Sequence, residues 1–177
     1  MQQLDAKTMN PVQHPSTQQG TLAPLNLGND VIAVLKDIFE NKIHFNALMG
    51  LKVDDLYTTQ ANGHIVMRPE LYGHYEGQRI HGGVISATLD AMGGLAVMLG
   101  LAERFKDEPA MGLYQRFAKV GTIDLRIDYL RPGVSSERFH TTATLVRLGS
   151  RVGNTTMQFT AEDGTLIAMG TGAYIVS

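Results

Sequence analysis

The chain has 177 residues, of which 44% are apolar and 18% charged, with a formal net charge of −2 and no Cys or Trp. This length fits one globular domain with a sizeable core. The near-neutral charge lacks the clusters of Lys and Arg that nucleic acid or an anionic membrane surface would require. The absence of Cys excludes a disulfide scaffold, a Cys nucleophile and a thiolate zinc site.

The first 28 residues are rich in Gln, Pro, Thr and Asn and have no regular apolar period. This composition predicts a flexible N-terminal tail, followed by a folded domain over residues 29–177. The tail has no signal-peptide pattern, so we expect a cytoplasmic protein. Asn29 or Asp30 is a candidate N-cap for a short helix over residues 31 to about 42.

Two strands are predicted next, over residues 49–57 and 64–68. The Asn62-Gly63 pair between them is a strong hairpin signal, which predicts an antiparallel pair. Residues 71–80 have no period and predict a loop. Such loops inside compact domains are usually functional or mobile.

A long helix is predicted from residue 82 to about residue 105, and the period changes to two from residue 120 onward. Four strands follow, the first containing residues 122–129 and the others spanning 139–148, 152–161 and 166–176. This order indicates an α+β fold with one long helix on an antiparallel sheet of about six strands. Residues 84–102 approach the length of a membrane span. A core helix is favoured because Asp90 lies near their centre and because the apolar face of the following strands must be covered by a helix.

The two faces of the long helix differ. At about 100° per residue, an apolar stripe suited to a sheet is formed by Ile85, Thr88, Leu89, Met92, Leu95, Ala96 and Leu99. Gly93 and Gly94 lie on the other side, near Asp90, although glycine in a helix costs about 1 kcal/mol relative to Ala. They indicate a close approach, either of another backbone, such as the same helix in a second subunit, or of substrate beside the carboxylate.

Asp90 is the candidate reactive group. An apolar setting would raise its pKa, which suits a general base, and a carboxylate can also act as a nucleophile. The alternative is a buried Asp that hydroxyl or backbone donors satisfy without any chemistry. His81-Gly82-Gly83 opens the helix, where free N–H groups can bind developing negative charge. For His81, a plain capping role is the alternative.

The sequence resembles the hotdog-fold acyl-CoA thioesterases of the PaaI-like group. His81-Gly82-Gly83 with Asp90 nine residues after the His matches their motif, and residues 121–133 match the following strand as it stands in the YigI-like branch. The resemblance implies hydrolysis of acyl-CoA to a carboxylic acid and coenzyme A. Asp90 would be general base or nucleophile, the Gly83 N–H the oxyanion donor, and the Thr122 hydroxyl a group that orients water or the carboxylate. His81 would help to shape the turn.

The resemblance also implies a homodimer or homotetramer with the site between two subunits, so that Asp90 and Gly83 come from opposite protomers. Many relatives have an Asn six or seven residues before the His, which is absent here; His74 or Gln78 are candidates to replace it. Gly82 is a candidate substrate-binding residue. No cofactor is expected, and the six His show no metal-binding spacing.

Other residues are candidates to bind parts of the substrate. For the phosphates of coenzyme A they are Arg131, Arg147 and Arg151, with solvated surface side chains as the alternative. For the acyl group they are Tyr57, Met67, Tyr72, Met92 and Met98, with ordinary core packing as the alternative.

Two other functions stay open. An acyl-thioester hydratase on the same fold commonly carries a catalytic His five residues after the carboxylate, where this chain has Leu95. A non-catalytic acyl-CoA sensor would carry a DNA-binding segment, but the first 46 residues are neither basic nor shaped as a helix-turn-helix. Both observations favour the hydrolase.

Overall fold

The structure, a computed structural model, describes Leu22 and residues 29–75, 77–134 and 136–177. Apart from the exposed Leu22, the predicted tail over residues 1–28 lies outside the described residues. The helices are α1 (Asn29–Asp37), which continues as a π-helix (Ile38–Lys42), α2 (His44–Met49), a 3-10 turn (Pro69–Leu71), α3 (Gly82–Arg104) and α4 (Ala110–Phe117). The strands are β1 (Lys52–Leu56), β2 (Gln60–Val66), β3 (Gly121–Tyr129), β4 (Arg138–Leu148), β5 (Val152–Ala161) and β6 (Leu166–Ile175).

The six strands form one antiparallel sheet in the order β1-β2-β4-β5-β6-β3, so β1 and β3 are its edges. The predicted order of elements, with two strands before the long helix and four after it, is therefore confirmed. Helix α3 lies across the sheet with its N-terminal end near Tyr129 and its C-terminal end near Leu148. This crossing places the middle of α3 over β5 and β6.

The apolar stripe of α3 forms the centre of the core. All seven predicted residues of the stripe are at most 3% exposed. Leu35 and Phe39 from the N-terminal helices join the same core. Helix α3 is long and apolar enough to cross a membrane, but 67% of its most apolar window is buried inside the protein. Its composition is therefore explained by core packing.

The predicted antiparallel pair of strands before α3 is confirmed, but its turn does not lie at Asn62-Gly63. Both residues lie inside β2, and the chain reverses at residues 57–59, where the Tyr57 N–H donates to the Gln60 carbonyl at 2.8 Å. A Cβ at Gly63 would lie 2.5 Å from the Lys52 main-chain oxygen and 3.1 Å from Met92 Cε. Glycine is needed here because a neighbouring strand and α3 come close, not because the chain turns.

Three helices differ from the prediction, and one of them, α2 over His44–Met49, was not predicted at all. Helix α1 begins at Asn29, so both candidate N-cap positions lie within it. The prediction had no helix at α4, whose position is stabilised by Arg116. The Arg116 guanidinium binds Glu108 at 2.6 Å and stacks 3.6 Å from the centre of the Phe105 ring.

A β-bulge in β3 changes the strict alternation that the sequence predicted. Thr122 pairs with Tyr174 and Asp124 pairs with Ala173, so Ile123 is an extra residue on this strand. A bulge shifts the following side chains to the other face. Ile123, which an unbroken period of two would put on the same face as Leu125 and Ile127, is 57% exposed. Thr122 instead lies on the face that packs against α3.

Candidate active site

His81 caps the N-terminal end of α3. The His81 Nδ1 accepts a hydrogen bond from the Gly83 N–H at 2.8 Å, and the main-chain N–H of His81 donates to the Leu71 carbonyl at 2.9 Å. A Cβ at Gly73 would lie 2.5 Å from His81 Cα, so the preceding loop packs closely on the cap. The Gly83 N–H therefore already has an acceptor within the chain, which a substrate oxygen would have to replace.

Asp90 lies two helical turns further along α3. Its half-buried carboxylate accepts a hydrogen bond from Thr122 Oγ1 at 2.7 Å. Seven residues separate Asp90 from Gly83, a distance of about 10 Å along the helix. Within one chain the fold thus brings Thr122 to Asp90 but leaves the carboxylate far from the N-terminal end of α3.

Tyr174 of β6 packs behind Asp90, a contact that was not predicted from the sequence. Its hydroxyl donates to the Asp90 main-chain oxygen at 3.1 Å, and the residue is 1% exposed. Burial raises the pKa of Tyr174, and the negative charge of Asp90 raises it further. Tyr174 is therefore a neutral hydrogen-bond donor beneath the carboxylate.

The same tyrosine explains one of the two central glycines. A Cβ at Gly93 would lie 2.1 Å from the Tyr174 hydroxyl and 2.7 Å from Met157 Sδ. The close approach expected at Gly93 is present, but the approaching group is a ring from the chain's own sheet. A Cβ at Gly94 would make only ordinary contact, 3.7 Å from the Tyr174 ring. Gly94 thus stays open to the two earlier explanations.

The candidates His74 and Gln78 lie in the loop before His81, and both are exposed. The His74 ring stacks on Tyr75, with 4.8 Å between ring centres. Of the residues predicted for an acyl pocket, Met92 is fully buried in the core.

The three candidate arginines lie at two ends of the molecule. Arg131 borders a groove of about 380 Å³ beside the N-terminal end of α3, together with Arg79 and Gly82. Arg147 and Arg151 flank the turn between β4 and β5, at the opposite end of the sheet. Within one chain they form no single cationic site. Arg79, which was not among the predicted arginines, is the second cation of the groove at Arg131.

Comparison with known proteins adds the family context. A family model described as the thioesterase superfamily matches residues 77–168, a span that includes His81, Asp90 and Thr122. The proteins named "Medium/long-chain acyl-CoA thioesterase YigI" from Escherichia coli K12 and Salmonella typhimurium are each 32% identical over 145 residues, which is 82% of this chain and 93% of the relative. A crystal structure from Shewanella oneidensis, described as related to the thioesterase superfamily, has a TM-score of 0.79 at 38% identity and covers 84% of this chain and 96% of that one. The predicted hotdog fold is confirmed by this structural similarity.

Proposed function

Because this chain belongs to the thioesterase superfamily and is a thioester hydrolase, we propose that it hydrolyses acyl-CoA thioesters, with Asp90 as the reacting carboxylate. The observation that carries this proposal is the Asp90 carboxylate, held at 2.7 Å by the Thr122 hydroxyl on the partly open face of α3. The names of the relatives support acyl-CoA as the substrate class. The absence of Cys is compatible with the cytoplasmic location that we propose.

In the general-base route, Asp90 takes a proton from water while the water oxygen attacks the thioester carbonyl. The C–S bond then breaks, the acyl group leaves as a carboxylic acid, and the coenzyme A thiolate takes back the proton. Thr122 binds one carboxylate oxygen and leaves the other for water. In the nucleophile route, Asp90 attacks the carbonyl itself and the C–S bond breaks to release the coenzyme A thiolate. Water then hydrolyses the resulting anhydride, which restores the Asp90 carboxylate and frees the acyl group as a carboxylic acid, and a proton from this water goes to the thiolate. Both routes use the same residues.

The Gly83 N–H is the proposed donor to the oxyanion. A donor of this kind is most effective when it points at the oxygen where charge develops. Since His81 Nδ1 accepts from this N–H at 2.8 Å, the His81 ring must turn away when substrate binds. His81 thus caps the free helix and shapes the turn that receives the carbonyl.

One subunit alone does not satisfy the nucleophile route of this mechanism. A carbonyl carbon and oxygen are about 1.2 Å apart and each lies about 3 Å from its partner, so in this route donor and carboxylate must lie within about 7 Å; the water of the general-base route extends this limit to about 10 Å. The separation along α3 is about 10 Å. We therefore propose a homodimer, alone or within a homotetramer, in which Asp90 acts with Gly83 of the partner subunit.

For coenzyme A we propose the groove at Gly82, where Arg131 and Arg79 supply positive charge for phosphates. His74 and Gln78 are candidates to contact the thioester from the loop before His81. Arg147 and Arg151 stay candidates only through a second subunit, because they lie at the far end of the sheet.

The test compares Asp90→Asn with Asp107→Asn, which changes an exposed Asp in the turn after α3. Release of free thiol from a panel of short, medium, long and aryl acyl-CoA thioesters is measured. We expect Asp90→Asn to lower kcat at least about 100-fold and Asp107→Asn to keep the wild-type value. Equal activity in wild type and Asp90→Asn would exclude the role of Asp90.

The same assay separates the alternatives. A sensor would bind acyl-CoA tightly and release no thiol over hours. A hydratase would yield an enoyl or hydroxyacyl thioester, again without free thiol.

A further inference from the structure

An apolar groove runs beside the N-terminal end of α3. Its volume is about 520 Å³, within the range of small-molecule sites, and its apolar lining comes from Phe45, Leu48, Met49, Leu71 and Val84. Phe45 and Leu48 on α2 are 59% and 66% exposed. Large apolar side chains are thus left uncovered next to the His81-Gly82-Gly83 segment.

We propose that this groove binds the acyl chain of the substrate, which is aliphatic. The inference rests on the proposed thioesterase function, and it adds where the acyl chain lies and which residues select its length. The key position is Val84, which lines the groove and directly follows Gly83, the proposed donor to the thioester oxygen.

The N-terminal end of α3 has a cationic groove on one side and an apolar groove on the other. At about 100° per residue, Gly82 and Val84 point about 200° apart, with Gly83 between them. The Gly82 side faces the groove with Arg79 and Arg131, and the Val84 side faces the apolar groove. An acyl-CoA has phosphates at one end, an aliphatic chain at the other and the thioester between them. A carbonyl at Gly83 therefore directs each end toward a groove of matching polarity.

Two charged residues, Arg68 and Glu70, also border the apolar groove. Arg68 Nε lies 3.8 Å from Glu70 Oε2, and the Arg68 guanidinium donates a hydrogen bond to the Leu48 main-chain oxygen. The Arg68 guanidinium is thus held by the Leu48 main-chain oxygen, whereas the Glu70 side chain is 73% exposed and Arg68 Nε makes no hydrogen bond among the described residues. The bond to Leu48 holds the end of α2 in place, and the other side chains that line the groove are apolar.

A second apolar groove, between α1 and α4, is the competing location. Its volume is about 380 Å³, and Met111, which is 66% exposed, lines it. The neighbouring cleft reaches α3 only at Met98, fifteen residues from Gly83 and so about 22 Å along the helix. An acyl chain that starts at Gly83 meets the groove at Val84 first.

The test compares Leu48→Gln with Met111→Gln in the full chain. Both side chains are 66% exposed, so the two substitutions have similar surface character. The kcat/KM values for butanoyl-, octanoyl- and dodecanoyl-CoA are measured for each variant. We expect Leu48→Gln to lower the dodecanoyl-to-butanoyl ratio about tenfold, because hydrophobic pockets discriminate chain length by this order. Met111→Gln is expected to keep the wild-type ratio.

If thermal melting shows that Leu48→Gln is unfolded, Phe45→Gln replaces it with the same expectation. Wild type that releases no thiol from any acyl-CoA would overturn the proposed function, and the groove assignment with it. Active wild type with an unchanged ratio in the groove variants would overturn the groove assignment alone. A ratio that changes in Met111→Gln instead would move the acyl chain to the groove between α1 and α4.

Discussion

At the scale of single residues, Asp90 is held from two sides. Thr122 binds its carboxylate at 2.7 Å, and Tyr174 binds its main-chain oxygen at 3.1 Å. Space for the Tyr174 ring requires glycine at positions 93 and 172, where a Cβ would lie 2.1 and 2.7 Å from ring atoms or the hydroxyl. The glycines near the carboxylate therefore serve, in part, to seat a tyrosine that supports it.

Tyr174 makes the stability of the protein fall as the pH rises in the alkaline range. Because its pKa is raised above the unfolded value near 10, its contribution to stability is complete below about pH 10 and is lost as the pH rises further. We expect the free energy of unfolding to fall more steeply between about pH 9 and 11 in wild type than in Tyr174→Phe, as measured by urea unfolding. Tyr75→Phe, which changes a residue that is 89% exposed, should keep the wild-type dependence. Identical pH profiles for all three proteins would contradict this account.

At the scale of elements, the cap of α3 is a separable contribution to stability. His81→Ala removes the Nδ1 acceptor from the Gly83 N–H, and we expect a loss of about 1 kcal/mol in the free energy of unfolding. His44→Ala is the control, because this exposed residue starts α2, whose N-cap Ile43 makes no side-chain capping bond. The control is expected within about 0.5 kcal/mol of wild type. Urea unfolding of both variants measures the difference, and equal stabilities would mean that the cap contributes nothing.

Local patterns predicted most elements, and the errors occur where distant contacts decide. The periods of α3 and of β4 to β6 are carried by their own side chains, so their bounds were predicted to within a residue or two. Asn62-Gly63 has the composition of a turn, but pairing with β4, and of Gly63 with β1, makes it part of a strand. Alternation alone places Thr122 on the face away from α3, because no residue pattern within the strand predicts the bulge at Ile123.

The candidate site divides in the same way. His81, Gly83 and Asp90 stand out in the sequence because they share one helix, and Thr122 entered through the family resemblance. Tyr174 was missed because it is 84 residues from Asp90, and its contact exists only after the sheet has formed. The groove at Val84 was missed because α2, the 3-10 turn and α3 meet only in the folded chain.

At the scale of the whole molecule, two features support the proposed homodimer. Strand β3 has nine residues and forms an edge of the sheet, and a long edge strand invites pairing with another chain. The Asp90 face of α3, next to this edge, is only partly covered. A second copy related by a two-fold axis would cover both features and bring the two helices together.

A mixture of two inactive variants tests the shared site directly. Asp90→Asn removes the carboxylate, and Gly83→Pro removes the N–H in the first turn of α3, where proline is tolerated. A Cβ at position 83 would lie 2.8 Å from His81 Nδ1, so the His81 ring turns aside in this variant, as it does when substrate binds. In a mixed dimer, one site has both defects and the other has neither. Unfolding and refolding the two variants together in equal amounts should therefore restore about one quarter of the wild-type thiol release, since half of the dimers are mixed and each has one intact site. Variants refolded separately and then combined on ice are the control. If each chain held a complete site, co-refolding would restore nothing, because every chain in the mixture carries one defect.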